Sequence, residues 1–156
     1  MYEIPIIEKK KRVQGKCYIK PASVKELEKL HFECKKQKHP DVPYILQTKF
    51  RDDTANGLTK CITSWLELNG YFSARINTTG TYNSKLGKWI YSGSKKGMAD
   101  ITAILKGKHI SVEIKSGKDK PRPEQLKVKQ EVEAAGGVYI FVRNFDDFLT
   151  QINKIL

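Results

Sequence analysis

Three residues near the middle of the chain carry groups that hydrolytic chemistry needs. Asp100, Glu113 and Lys115 lie in "GMADITAILKGKHISVEIKSG", residues 97–117, a stretch otherwise rich in Ile, Val and Leu. Two carboxylates held close resist joint ionisation. A hard divalent cation such as Mg2+, or Mn2+ in its place, relieves that repulsion by taking oxygen ligands. The backbone carbonyl of Ile114 is a further candidate ligand. Lys115 is placed to orient a water or to stabilise negative charge developing on a phosphate. A metal-bound water is also a better nucleophile than a free one. The competing reading is structural, because acid–lysine pairs across exposed strands are common and contribute little.

Those residues depend on strands to bring them together. Side chains alternate faces along a strand. Ser111, Glu113 and Lys115 therefore share one face, and Ile110, Val112 and Ile114 the other. With the turn near Gly107-Lys108, a two-residue loop pairs Lys106 with His109 and sets Asp100 opposite Lys115 and Thr102 opposite Glu113. A four-residue loop keeps that register, whereas a three-residue loop flips the faces. In the first case Asp100, Glu113 and Lys115 meet at one end of one face. After the hairpin, Pro123 suits the first position of a helix running to about residue 135. On that helix Gln125 shares a face with Val128 and Val132, so it points at the sheet, where a polar group requires a partner. The alternative for Gln125 is a simple polar residue at a helix start.

The surrounding elements are legible in outline. Ser23 with Glu26 reads as a capping box for a helix with Leu27, Leu30, His31 and Cys34 on one stripe, stopped by Pro40. Residues 40–53 read as a surface connection. Thr54 to Leu68 reads as an amphipathic helix, with Leu58, Cys61, Ile62, Trp65 and Leu66 at helical spacing, Asp53 or Thr54 as its cap and Asn69-Gly70 at its end. Tyr71 to Asn77 is strand-like. Residues 78–96 form a Gly/Ser/Lys/aromatic loop with room for a short hairpin, whose Tyr82, Trp89 and Tyr91 either stack on unpaired bases or close a small satellite core. "VYIFV", 138–142, is a buried strand by composition. Asn144 caps a last helix with Phe145, Phe148, Leu149 and Ile152 on one face. From residue 54 the order is α-β-β-β-α-β-α, an α/β pattern. The domain division is 1–50, a basic N-terminal extension with one helix, and 51–156, the core domain.

The charge balance argues about partners. The chain has 156 residues and a formal net charge of +12, which points to a polyanion: DNA, RNA or an anionic membrane surface. Its length is that of one domain able to bury a real core. It has three cysteines, an odd number at wide spacing, which argues against a disulfide framework and for a reducing compartment. His31, Cys34 and His39 are close in sequence but lack a Cys-x2-Cys partner for zinc. No run is long and apolar enough to span a membrane, and no apolar leader precedes the basic "EKKKR" at 8–12. A cytoplasmic protein with no membrane partner is expected. Lys95, Lys96, Lys118, Lys120 and Arg122 flank the acids and suit contacts to a nucleic-acid backbone. Arg75 and Asn77, period-two neighbours on the first strand, are further candidates for reaching phosphate or the acids.

Taken in order, "GMAD", "VEIK", "PEQ" and "AGGVYIFVRNFDDF" resemble the PD-(D/E)xK nuclease superfamily, and within it the stand-alone VRR-NUC nucleases of phages and mobile elements. "TANGLTKCITSWLELNGYFSARINTTG" is similar to the opening helix and first strand of such proteins. The resemblance covers about residues 54–148; residues 1–50 match no motif. It implies a restriction-endonuclease-like core, an α/β fold with a central mixed sheet flanked by helices. Asp100 and Glu113 would match the metal-binding acids, Lys115 the motif lysine, and Gln125 the glutamine of the following helix. It further implies Mg2+- or Mn2+-dependent hydrolysis of DNA, with branched or junction DNA as the structure-selective case. A homodimer, suiting two-fold substrates, and a bacterial or phage-infected cell as the setting are also implied. One departure stands out. Many relatives carry a glutamate early in the first helix, where this chain has Asn56 and Thr59, and Glu67 lies near the other end of that helix. That departure favours the alternative of a nucleic-acid-binding module that keeps the fold without cutting.

Overall fold

The computed structural model describes residues 18–76, 80–90 and 93–156. Helix α1, Ala22–Lys38, begins one position ahead of the expected cap. Pro21 is the N-cap in extended backbone, and no side chain caps the helix. Ser23 lies inside the first turn with its hydroxyl buried and unpartnered. The stripe is Val24, Leu27, His31 and Cys34, while Leu30 faces solvent. Helix α2, Ala55–Leu68, is capped by Thr54, whose hydroxyl oxygen accepts the Gly57 N–H at 3.1 Å. It ends where Gly70 turns the chain at φ 73°, a conformation glycine adopts without steric cost.

Strands β1 (Phe72–Arg75), β4 (Ile101–Leu105), β5 (Lys108–Ile114) and β6 (Val138–Val142) form the main sheet in the order β1-β4-β5-β6. The first three are antiparallel, and β6 joins β5 in parallel after a crossover through α3, Pro123–Ala134. The sheet is therefore mixed. Strands β2 (Thr81–Asn83) and β3 (Lys88–Ile90) pair only with each other, as a separate hairpin between β1 and β4. The chain closes with α4, Phe145–Asn153, capped by Asn144.

The two sheet faces are covered differently. Ile101, Ala103, Leu105, Ile110, Val112, Ile114, Ile140 and Val142 pack into one apolar cluster with residues of α1, α2 and α4. Val24 and Leu27 belong to that cluster, so α1 shares the core of residues 51–156. Within it, Trp65 meets Phe148 edge to face with ring centroids 5.5 Å apart, the favoured geometry for aromatic pairs. Asp52, buried in the connection between α1 and α2, ties this layer together. Its carboxylate accepts from the Tyr18 hydroxyl at 2.7 Å and from the Phe145 N–H at 3.1 Å. Among the described residues the opposite face holds a small apolar cluster of Ala99, Val128 and Tyr139. The same face also carries Thr102, Ser111 and Glu113, with Phe72 and Ile104 exposed at its far end.

Candidate active site

The turn between β4 and β5 sets the site. Leu105 pairs with Lys108, and Lys106 and Gly107 turn the chain at φ 48° and φ 80°. Positive φ at both central residues is the signature of a two-residue type I′ hairpin, which favours glycine at the second. The turn is thus centred one residue earlier than Gly107-Lys108. The pairing moves by two, so the faces are preserved but the partners change. Thr102 lies opposite Ser111, and the same register carried one step on brings Asp100 opposite Glu113 rather than Lys115.

Asp100 is half-buried just before β4, and its Oδ2 accepts the Ile114 N–H at 2.9 Å. The N–H and C=O of one strand residue leave on the same edge, so the Ile114 carbonyl faces Asp100 as well. Glu113 and Lys115 are 5% and 1% exposed, with Lys115 Nζ 3.2 Å from Glu113 Oε1. Burial, and then the Asp100 charge, push the Glu113 carboxyl above its usual range. Gln125 binds both partners: its Nε2 donates to Glu113 Oε1 at 2.5 Å, and its Oε1 accepts from Lys115 Nζ at 2.7 Å and from the Arg122 N–H at 2.9 Å. The side-chain amide, with donor and acceptor on one planar group, therefore bridges acid and base while its oxygen closes the start of α3.

Several contributors to this geometry had weak signals in the sequence. Asp119 reaches Lys115 Nζ at 3.3 Å from the loop after β5. Tyr139 stands on β6, on the same face as Glu113. Its hydroxyl donates to the Gly97 carbonyl at 3.3 Å, and burial with the neighbouring Glu113 and Asp100 carboxylates holds its phenol well above the ordinary range. Gly97 has φ 85°, and a Cβ there would lie 2.3 Å from the Glu124 carbonyl oxygen. The first glycine of "GMAD" thus lets the approach to Asp100 touch the first turn of α3. Arg143 donates to the carbonyls of Gly117 at 2.9 Å and Asp119 at 3.3 Å, holding that loop. Period-two alternation puts Tyr139 on the Glu113 face once the β5–β6 register is known, but neighbours far apart in sequence supply its partners.

The basic candidates divide. Lys96, Lys118, Lys120 and Arg122 are exposed around the acid-bearing end of the sheet. Lys95 is paired with Glu131 of α3. Arg75 lies opposite Ile101, on the apolar face, and donates to Asn56 Oδ1 at 2.9 Å. It is therefore not turned toward Asp100 or Glu113, because the β1 register puts it on the other side of the sheet. Asn77 falls outside the described residues. At the start of α2, Thr59 is buried and returns its hydroxyl to the Ala55 carbonyl at 2.8 Å, so neither Asn56 nor Thr59 supplies an acid. Among the described residues no three His, Cys, Asp or Glu side chains converge. His31 instead packs edge to face on Phe50.

As a donor set, Asp100, Glu113 and the Ile114 carbonyl fit a small hard cation. They are all oxygens, two of them carboxylates, with burial and then the Asp100 charge raising the Glu113 pKa, and Mg2+ is commonly held by one or two carboxylates with waters completing its shell. Among the described residues no helix is long and apolar enough to cross a membrane. Comparison with family models, with curated proteins and with solved structures gave no match.

Proposed function

We propose that this protein is a metal-dependent DNA endonuclease built on a restriction-endonuclease-like core. The observation that carries the reading is the Asp100–Glu113 pair facing across neighbouring strands, with a buried Lys115 joined to Glu113 through Gln125. A lysine this buried beside paired carboxylates is unusual for a purely structural ion pair, since burial of both ions is costly. A bound Mg2+ or Mn2+ on Asp100, Glu113 and the Ile114 carbonyl would supply Lewis acidity and a more acidic water. Lys115 presents a positive charge where negative charge grows on the phosphate under attack. Gln125 fixes the Lys115 ammonium and the Glu113 carboxylate in one geometry. Tyr139 and the close approach of Gly97 to α3 hold the chain just ahead of Asp100. The exposed Lys96, Lys118, Lys120 and Arg122 contact the DNA backbone, which positions substrate without reading sequence.

Branched or junction DNA is the substrate we favour, cut by a homodimer whose two-fold axis matches the substrate. The chain works in the cytoplasm of a bacterial or phage-infected cell. The free thiols of Cys34 and Cys61 support a reducing compartment.

The test is cleavage of labelled four-way junction, flap, single-stranded and duplex DNA with Mg2+, Mn2+ or EDTA, beside Glu113→Ala and Lys115→Ala proteins. Metal-dependent cutting lost in both variants is expected. Binding without cutting, unchanged by either substitution, would favour the second reading, a nucleic-acid-binding module. The absence of an acid at Asn56 and Thr59 is the observation on that side.

A further inference from the structure

The hairpin between β1 and β4 has no role in the site just described, yet its surface is specific. Tyr82 and Trp89 are directly paired across β2 and β3, with ring centroids 5.8 Å apart at 62°. They are 53% and 62% exposed, so these two do not close a satellite core; Tyr91 falls outside the described residues. The loop that presents them is braced, because Asn83 Oδ1 accepts the N–H groups of Lys85 at 3.0 Å and Leu86 at 3.1 Å. A lone two-stranded hairpin is marginally stable in water, and two aromatic faces left in solvent are poor economy for a soluble surface.

Charge and position choose the partner. From residue 76 to residue 99 the chain has Lys85, Lys88, Lys95 and Lys96 and no Asp or Glu. Such a segment repels a second copy of a chain carrying +12 and attracts a polyanion. The hairpin is also rooted at the acid-bearing end of the sheet. The chain leaves β1 at Ile76, whose N–H donates to the Asp100 carbonyl at 2.8 Å, and returns through Gly97 to Asp100 itself. Aromatic rings flanked by lysines, without acids, are the groups that hold single strands, by base stacking plus backbone charge.

We infer that the β2–β3 hairpin is a binding wing for single-stranded DNA, with Tyr82 and Trp89 stacking on unpaired bases and Lys85 and Lys88 meeting the phosphates. This rests on the nuclease reading for its choice of DNA and places the unpaired segment of a branched substrate beside Asp100. The wing acts through Trp89, so its occupancy is visible in tryptophan fluorescence.

The experiment titrates the full-length protein with a twenty-nucleotide thymidine oligomer in EDTA, beside Trp89→Ala, Tyr82→Ala and Trp89→Phe. Quenching of wild-type emission is expected. Affinity by anisotropy of labelled oligomer should fall about tenfold in each alanine variant, the scale of one lost base stack, and be largely retained in Trp89→Phe. Equal affinity in all four proteins overturns the proposal. So does stronger binding to the matching uridine oligomer, loss in Trp89→Ala of binding to phosphatidylglycerol vesicles without loss of DNA binding, or loss of a dimer in that variant by sedimentation. Circular dichroism confirms that each variant is folded before it is counted. Because EDTA removes cleavage, the outcomes separate. A protein that cuts DNA but binds independently of Trp89 refutes the wing alone, and one that binds through Trp89 but never cuts refutes the nuclease alone.

Discussion

Replacing Gln125 with leucine tests the site independently of activity. The substitution keeps the volume and helix preference of the side chain and removes its three hydrogen bonds. The Arg122 N–H sits at an exposed position and is recovered by water. The other two bonds are to charged, buried groups, each worth about 1.5–3 kcal/mol. Glu113 and Lys115 still face each other at 3.2 Å, which offsets part of the loss. We expect a net destabilisation of about 3 kcal/mol at neutral pH, or a fall in melting temperature of roughly 6–12 °C for a chain of this size. The pH dependence is the sharper signature. Because the folded Glu113 pKa lies above its unfolded value, the folded state holds its proton longer, so this group's contribution declines as pH rises from its unfolded value toward its folded one. Loss of the Gln125 donor raises the folded pKa further and extends that decline. The gap between variant and wild type should therefore be about half as large at pH 4, where only the Lys115 bond is missing, and grow toward pH 7.5. Urea unfolding in EDTA, followed by circular dichroism at several pH values, measures it. A gap under about 0.5 kcal/mol at pH 7.5, or one that does not change with pH, would refute the bridged arrangement.

Mg2+ or Mn2+ at a hundredfold excess over its dissociation constant should stabilise the wild type by about 2.7 kcal/mol, seen as a rise of roughly 5–10 °C in melting temperature. Asp100→Asn and Glu113→Gln should abolish that rise, and it should shrink as pH falls toward the elevated Glu113 pKa, because protons compete with metal. Gly97→Ala should cost about 3 kcal/mol or more, from a strained positive φ and a Cβ 2.3 Å from the Glu124 carbonyl oxygen; an unchanged urea midpoint would show that the approach to α3 is looser than described. Tyr139→Phe should cost about 1 kcal/mol for its lost hydrogen bond to the Gly97 carbonyl; an unchanged urea midpoint would show that this bond does not hold the approach to Asp100.

What the sequence revealed follows the range of the interactions involved. Helix α2 was legible because Leu58, Cys61, Ile62 and Leu66 repeat at helical spacing and Thr54 caps its own helix, all within a few residues. The common face of Asp100 and Glu113 was legible because a two-residue turn fixes parity, even though the turn sits one residue earlier than expected. Gln125 was legible from its place beside Val128. Arg75 was not, since its face depends on pairing with Ile101, 26 positions away, and no local pattern carries that register. The cap of α1 was misplaced because the extended backbone of Pro21 already starts the helix, leaving Ser23 inside it. Tyr139, Gly97 and Arg143 act through partners on other elements, so their residue types alone did not mark them.

The division of the sheet into two unlike faces explains how such a site is tolerated. One face is sealed by α1, α2 and α4 over a continuous apolar cluster, and that burial is the dominant stabilising term available to a chain of this length. Among the described residues the other face carries α3 and a small cluster around Tyr139, and Glu113, Lys115 and Gln125 are buried together there. An unpaired ion there would be expensive, and a hydrophobic replacement of the whole set would usually be no less stable. The polar set is therefore not there to hold the fold. Its members satisfy one another, with Asp100 held by the Ile114 N–H and Lys115 held by Gln125 and Asp119, and that mutual satisfaction keeps two carboxylates and an amine fixed at the open end of a sheet. Simultaneous replacement of Glu113, Lys115 and Gln125 by Leu, Met and Leu should then give a folded protein no less stable than the wild type while removing all metal response and cleavage. A triple variant that fails to fold would show instead that the buried polar set is needed for the structure itself.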